Sequence, residues 1–171
     1  QRHQMIDGAL SSAQRLELLV SNLLLASRLD GGKFEMYQEE VNVKSQIDIV
    51  VHRFRALAEQ SGNSLSIDCD AEISILADKS AFDSIVSNLI ENALKYAPKT
   101  EVHIRMRKES NKVILEVADH GQGIPKSERE RVLRKFYRMG NEETRGQKGS
   151  GLGLYLVQQL VQLHDAQMVI R

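Results

Sequence analysis

Residues 88–97, NLIENALKYA, form a run in which polar side chains recur at helical spacing beside apolar ones. On a helical wheel that turns by about 100° per residue, Asn88, Asn92 and Lys95 fall within about 60° of one another. Glu91 borders this cluster, and the apolar positions occupy the adjoining sector of the wheel. The stretch therefore predicts a helix that packs on a core and presents two amides and an ammonium at the rim of that core.

The polar cluster on this helix has a chemistry that suits phosphates. Amide oxygens such as those of Asn88 and Asn92 are neutral, hard ligands, and Mg²⁺ takes few protein ligands when phosphates are present. An ammonium one turn away, that of Lys95, can meet the same phosphates. Taken alone, the cluster is weak evidence, because such residues beside a core stripe more often form a solvated helix flank.

A second motif, VADHGQGIP at residues 117–125, ends a predicted strand with an aspartate and two glycines. Asp119 followed by Gly121 and Gly123 predicts a tight turn where a ligand can approach the backbone. A carboxylate here can accept a hydrogen bond from an exocyclic amine such as that of adenine. The same residues also suit an ordinary turn with a capping aspartate.

A third motif, KGSGLGLYLV at residues 148–157, places three glycines before and into a predicted helix at 150–163. Glycines at a helix N-terminus expose backbone N–H groups, and the helix dipole there favours phosphate. No Gly-Lys-Ser/Thr follows these glycines, so the pattern is not a Walker motif. Between the second and third motifs, the polar stretch MGNEETRGQK has the composition of a mobile lid.

The composition narrows the class of protein. The chain has 171 residues, of which 42% are apolar and 27% charged, and its formal net charge is +0. We expect one globular domain with an appendage, and the balanced charge predicts no binding of nucleic acid. The single cysteine, Cys69, favours a reducing compartment. Because no apolar run approaches the roughly 18–20 residues that span a bilayer, we expect a soluble, cytoplasmic piece of a longer protein.

After residue 42, helical and strand patterns alternate. SQIDIVVHRFRALAEQSG predicts an amphipathic helix that ends at Gly62. Alternating apolar residues predict strands at SLSIDCD, EVHIRMRK and KVILEVAD, with KVILEVAD the more buried of the last two and ESNK the turn between them. A last strand is expected at QMVIR. This order predicts an α+β sandwich, with helices on one face of a sheet, preceded by a long N-terminal helix.

The N-terminal helix carries a heptad seam. Leu19 and Leu24 widen its apolar face as in a four-helix bundle, and the break LDGGKF follows. Two interpretations remain open: a helix that covers the core of its own domain, and a dimerisation helix. The seam residues recur at steps of three and four: Ile6, Ala9, Ala13, Leu16, Val20, Leu23 and Ser27.

In order and spacing, NLIENALKYA, DHGQGI, KFYRM and GSGLGL resemble the N, first glycine, F and second glycine boxes of sensor histidine kinases. The resemblance implies the two-layer α/β ATP-binding fold shared with type II topoisomerases, mismatch-repair ATPases and the large heat-shock chaperones. It also implies three parts: an incomplete second helix of the dimerisation and histidine-phosphotransfer hairpin at 1–30, a linker at 31–42, and a catalytic ATP-binding domain at 43–171 whose last strand is truncated.

Carried over to matching positions, the resemblance implies a site for ATP and Mg²⁺. Asn92 would bind Mg²⁺, and Asn88 would hold the assembly of phosphates and metal. Lys95 and Arg138 would reach the phosphates. Glu91 is a candidate for polarising the site through a neighbouring residue, without contacting the ligand itself. The base end would comprise Tyr96, Asp119, Gly121, Gly123 and Ile124, with Asp119 receiving the adenine amine. The phosphate end and the hinge of the lid would comprise Phe136, Lys148, Gly149, Ser150, Gly151, Leu152, Gly153 and Leu154.

Two positions depart from the pattern of the family. His120 stands where the family often has asparagine, so the contact made by that position is open. LHDA at 163–166 replaces the usual His-Gly-Gly, and we expect Asp165 to adopt the left-handed turn conformation there.

The first residue of the N box separates the functions of this fold. ATPases use a glutamate there to activate water, whereas Asn88 is an amide, and a site without that base suits phosphoryl transfer to a separately presented nucleophile. The prediction is a histidine kinase catalytic domain, with homodimerisation through the N-terminal helix, a response regulator receiver domain as partner, and a parent protein attached to the inner membrane. The alternative is a nucleotide-gated interaction module or a phosphatase-biased one. His3 is followed by glutamine, unlike the acceptor of the family, so we expect the acceptor outside this chain.

Overall fold

The computed structural model describes residue 16 and residues 19–140 and 149–171. Residues 19–30 are helical and are called α1 here. The elements that follow are β1 (Gln38–Asn42), α2 (Val43–Gln60), β2 (Ser64–Cys69), β3 (Ser74–Asp78), α3 (Lys79–Tyr96), β4 (Glu101–Glu109), β5 (Lys112–Ala118) and α4 (Gly153–Leu163), with a short 3-10 helix at Lys126–Glu128 before the lid.

The strands form a three-stranded sheet in the order β2-β4-β5 and a separate antiparallel ribbon of β1 and β3. β2 runs parallel to β4 because β3 and α3 form the crossover between them, whereas β4 and β5 are an antiparallel hairpin. The hairpin turns at Ser110 and Asn111, as the sequence predicts, and Ser110 adopts a φ of 51°.

The main core lies between the three-stranded sheet and helices α2 and α3. Val102, Ile104 and Met106 alternate along β4 and face this core, at 0%, 0% and 4% exposure. The opposite face of the sheet is polar, with Arg105 and Arg107 both paired to Glu116. One buried face and one solvated face confirm the predicted α+β class with helices on one side. The core residues of the two helices are Val43, Ile47, Val50, Val51, Ala58, Phe82, Val86, Ile90, Ala93 and Leu94.

Three predictions about strands need correction. The expected linker at 31–42 contains β1, whose partner β3 was also missed, because each has only five residues and gains its stability by pairing with the other. β5 is less buried than β4, since it lies at the edge of the sheet and has no fully buried residue. Residues 167–171 form no strand among the described residues, and Val169 is 73% exposed.

Helix α1 presents two different faces. Ala26 is fully buried, and Leu25 and Leu29 pack with it against α3 and α4. The described seam residues face away from this contact on a wheel, by roughly 140°, and remain exposed. One face therefore covers its own domain, as the first interpretation expects, and the other is an exposed apolar stripe made of Leu16, Leu19, Val20, Leu23 and Leu24. The dimerisation interpretation stays a prediction. The seam residues before Leu16 lie outside the described part of the chain.

Candidate functional site

The central element of the candidate site is α3. Its N-terminus is fixed by the preceding residue, Asp78, and by His164 at the end of α4. Asp78 caps the helix by accepting a hydrogen bond from the Ala81 amide at 2.9 Å. Burial would raise the pKa of Asp78, but hydrogen bonds from Ser80, Ala81 and Tyr37 outweigh it and lower that pKa. His164, at the end of α4, accepts from the Asp78 amide through Nε2 at 3.1 Å. This bond joins the far end of α4 to the start of α3.

The two amides of the N box have different environments. Asn88 is 3% exposed and fully bonded: Nδ2 donates to the Ser84 carbonyl at 2.9 Å, and Oδ1 accepts from Asn22 Nδ2 at 3.3 Å. Asn92 has a buried Nδ2 with no hydrogen-bond partner among the described residues. An unpaired buried amide is costly, so Asn92 is the position where a polar ligand would be stabilised most.

The second glycine segment lies directly against these amides. A Cβ added at Gly153, the first residue of α4, would lie 3.1 Å from Asn88 Oδ1 and 3.4 Å from Asn92 Nδ2. A Cβ added at Gly149 would lie 1.9 Å from Lys95 Nζ. The structure therefore brings Asn88, Asn92 and Lys95 to the start of α4, where backbone N–H groups and the helix dipole favour an anion.

Gly151 connects this segment to the F box. Its φ is 70°, and a Cβ there would lie 2.8 Å from the backbone of Phe136 and Tyr137. The Phe136 amide donates to the Gly151 carbonyl at 3.0 Å, and Phe136 itself has a φ of 62°. Only glycine fits at 151, because both the backbone conformation and the close approach exclude a side chain. The F box is thus fastened to the glycine segment through main-chain atoms, whereas most of the predicted lid, residues 141–148, lies outside the described residues.

The first glycine turn lies at the C-terminal end of α3. Asp119 Oδ1 accepts a hydrogen bond from the Gly121 amide at 2.8 Å, which closes the turn. A Cβ at Gly121 would lie 2.8 Å from the Tyr96 carbonyl, so the turn packs tightly on the end of the helix. Gly123 has a φ of 69° and open space around it. The edge of the His120 ring packs on His103, with 6.0 Å between ring centroids.

The other expected site residues lie near the first or the second glycine segment. Tyr96 is 38% exposed beside the first glycine turn, with Lys95 Nζ 4.8 Å from its ring centroid. Ile124 is half-buried, and its carbonyl accepts from Arg129. Arg138 is one of the residues 136–140 that line a cavity of about 430 Å³ at the start of the lid. Glu91, Ser150 and Leu154 are half-buried and Leu152 is 1% exposed, whereas Lys148 lies outside the described residues.

The donor set fits a magnesium ion that is bound mainly through phosphates. No group of three or more His, Cys, Asp or Glu side chains in the described ranges could hold a metal ion. The candidates are instead the amide oxygens of Asn88 and Asn92, which are neutral and few. The unpaired Nδ2 of Asn92 lies beside them and would gain a phosphate oxygen as partner.

Sequence reasoning missed the contribution of α1 to this site. Besides the bond from Asn22 to Asn88, Asp30 accepts hydrogen bonds from Lys135 and Tyr155, which join α1 to the F box and to α4. The hydrogen bond that Tyr155 donates to Asp30, together with burial, raises the pKa of Tyr155 to about 12. A signal was present in the sequence: Asn22, Ala26 and Leu29 share a helix face that the heptad seam does not use.

Asp165 confirms the expectation for the LHDA segment, since it has a φ of 52° directly after α4. Its amide donates to the Gln162 carbonyl at 3.0 Å, and Ala166 donates to Val161 at 3.1 Å. Aspartate thus replaces glycine as the residue that ends the helix. Within the described ranges, no helix has both the length and the apolar content to cross a membrane.

Comparisons with known proteins identify relatives of this chain. SenX3 of Mycolicibacterium smegmatis, named as a sensor-like histidine kinase, is 31% identical over 156 residues, which are 91% of this chain and 41% of that protein. The structure of a mycobacterial sensor histidine kinase, MprB, shares 29% identity with a TM-score of 0.65, over 75% of this chain and 81% of the other. Full-length ShkA in complex with AMPPNP gives 25% identity and a TM-score of 0.74, over 89% of this chain and 32% of that one.

The chain spans less than half the length of the curated relatives that it matches, such as 41% of SenX3 and 26% of WalK from Bacillus subtilis. The sequence profile of the family described as "Histidine kinase-, DNA gyrase B-, and HSP90-like ATPase" matches residues 77–171. This range contains α3, both glycine segments and α4, and so every part of the site except α1. The chain belongs to the histidine kinase-, DNA gyrase B- and HSP90-like ATPase family.

Proposed function

We propose that residues 43–171 are the catalytic domain of a sensor histidine kinase, which transfers the γ-phosphate of ATP to a histidine on a dimerisation hairpin. One observation carries the proposal: Asn88, Asn92 and Lys95 of α3 meet the glycine-rich start of α4. The named relatives, sensor histidine kinases, support the same reaction for this chain.

The C-terminal half of α3 and the two glycine segments that contact it would divide the binding of ATP between them. Next to the C-terminal end of α3, Asp119 in the first glycine turn would accept a hydrogen bond from the adenine amine. Tyr96 would flank the base or the ribose. Lys95, the residue before Tyr96, and the N–H groups around Gly149 and Gly153 would hold the phosphates. The spacing along α3 is about 6 Å from Asn92 to Tyr96, so one helix can serve both halves of the nucleotide.

Magnesium would be held by Asn92, together with the phosphates and Asn88, and would neutralise the charge that develops on the transferred group. The chain itself would position the γ-phosphate and exclude water from it. Asn88 cannot act as a general base, because an amide does not take up a proton near neutral pH. This residue therefore favours transfer to a histidine over hydrolysis.

The same assignment extends to the rest of the chain and to its partners. Residues 1–30 would be the second helix of the hairpin, and 31–42 the connection to the catalytic domain. The exposed stripe of α1, from Leu16 to Leu24, would pair with a second copy in a homodimer. The phosphohistidine would then pass its phosphoryl group to the receiver domain of a response regulator, and the parent protein would be attached to a membrane.

The test is phosphotransfer from γ-labelled ATP and Mg²⁺ to a separately supplied hairpin that contains an acceptor histidine. We expect acid-labile label on the hairpin and none on this chain alone. A variant of this chain with Asn111→Ala, in the turn between β4 and β5, should transfer the phosphoryl group normally. Asn92→Ala should not. Binding of ATP without any transfer would support the alternative, a nucleotide-gated or phosphatase-biased module. Release of inorganic phosphate without labelled hairpin would contradict the proposal and support an ATPase.

A further inference from the structure

Helix α1 reaches the nucleotide site through one polar side chain. Asn22 is 7% exposed and Asn88 is 3% exposed, and their amides are joined by the bond from Asn22 Nδ2 to Asn88 Oδ1. The apolar contacts of Ala26 with Leu152 and Leu156 lie one turn further along the same helix face. Docking of α1 therefore places a hydrogen-bond donor on the oxygen of the first N-box amide.

That oxygen is the atom with which Asn88 could interact with a cation. Its Nδ2 is already committed to the Ser84 carbonyl at 2.9 Å, which fixes the orientation of the amide. A donated N–H occupies a lone pair of Oδ1 and brings a partial positive charge to it, and both effects oppose a metal ion at the same atom. Docked α1 also keeps the amide almost entirely from solvent.

We propose that Asn22 is a positioning residue whose side-chain N–H competes with magnesium for the side-chain oxygen of Asn88. The inference rests on the proposed function, because it requires the site to bind a metal–nucleotide complex. Docking of α1 and binding of that complex are then negatively coupled, and the coupling is reciprocal: the ligand loosens the helix as much as the helix weakens the ligand.

A second contact of α1 makes the two effects separable. Asp30 holds Lys135 and Tyr155 at the C-terminal end of the helix, eight residues from Asn22 and away from Asn88. Asn22→Ala removes the competing donor while the Asp30 contacts and the burial of Ala26 keep the helix docked. Ser21→Ala changes the neighbouring exposed position and is the matched control.

The experiment measures the affinity of the full chain for a non-hydrolysable ATP analogue by calorimetry, with and without Mg²⁺. The quantity compared is the dissociation constant without Mg²⁺ divided by the dissociation constant with Mg²⁺. This ratio reports how much the metal tightens binding. In Asn22→Ala this ratio should rise about three- to tenfold, the effect of one net hydrogen bond. Affinity without Mg²⁺ should not change, and Ser21→Ala should match the unmutated chain in both conditions.

Hydrogen exchange supplies a second readout on the unmutated chain. Amides of residues 19–30 should exchange faster when the analogue and Mg²⁺ are both bound, and not with the analogue alone. An unchanged ratio in Asn22→Ala, a reduced ratio, or unchanged exchange in α1 would each overturn the inference while leaving nucleotide binding intact. Absence of nucleotide binding in the unmutated chain would overturn the proposed function and this inference together.

Discussion

The two glycine segments that meet α3 are built in different ways. The first, around Asp119 and Gly121, is closed by its own carboxylate and packs on the end of the same helix. The second, at 149–153, contacts α3 and the F box, and Leu152 within it packs on Ala26 of α1. The first glycine turn is thus closed by its own aspartate and packed on the end of α3, whereas the phosphate end also depends on the F box and on α1. A change in α1 can therefore alter the phosphate end without altering the base end.

The largest expected effect comes from Gly151, where an added side chain would meet main-chain atoms of the F box. In Gly151→Ala, the added Cβ meets the backbone of Phe136 and Tyr137 at 2.8 Å, and the residue must also hold a φ of 70°. We expect the free energy of unfolding to fall by about 2–4 kcal/mol, as measured by urea denaturation followed by circular dichroism.

Gly123→Ala is the matched control from the base end. Its φ of 69° is nearly the same, but a Cβ there meets nothing within 4 Å. Only the cost of the backbone conformation remains, about 1 kcal/mol. Equal losses in the two variants would show that close contact at 151 contributes nothing to the free energy of unfolding.

The next effect concerns the base end alone. Asp119→Ala removes the acceptor for the adenine amine and should weaken ATP binding by about 1–3 kcal/mol, with loss of preference for ATP over GTP. Asp70→Ala is the control, because Asp70 also closes a turn, by accepting from the Glu72 amide at 3.0 Å. Competition titrations with both nucleotides would check this. Similar losses in the two variants would mean that Asp119 serves the turn and not the base.

How far the sequence alone predicts the structure differs between the parts of the molecule. α2, α3 and the β4–β5 hairpin were predicted correctly, because each has a long periodic pattern of its own. The ribbon of β1 and β3 was missed, because short strands of mixed polarity are specified mainly by the partner strand. The bond from Asn22 to Asn88 was missed because it joins residues 66 positions apart: the helix face that Asn22 shares with Ala26 and Leu29 indicates burial of Asn22 but does not identify its partner.

The smallest effect concerns the contact of Asp30 with Tyr155 at the phosphate end. The pKa of Tyr155 is raised to about 12 by that hydrogen bond and by burial. Because this pKa is higher in the folded than in the unfolded protein, the hydrogen bond of Tyr155 with Asp30 contributes fully to the free energy of unfolding below about pH 10. That contribution is lost as the pH rises through about 12. Ultraviolet titration of the tyrosines should show a late step that is absent in Tyr155→Phe. In Asp30→Asn this step should move towards pH 10. A late step that is unchanged in Asp30→Asn would contradict the role of Asp30 in raising the pKa of Tyr155.

The central claim is that α3 serves the base with one end and the phosphates and metal with its amides. Calorimetric titration of ATP with and without Mg²⁺ into the unmutated chain, Asn92→Ala and Asp119→Ala tests it most directly. The account predicts that Mg²⁺ tightens binding in the unmutated chain and in Asp119→Ala, and that Asn92→Ala loses this gain, by about tenfold in affinity. Mg²⁺ dependence that survives in Asn92→Ala and disappears in Asp119→Ala would contradict the account.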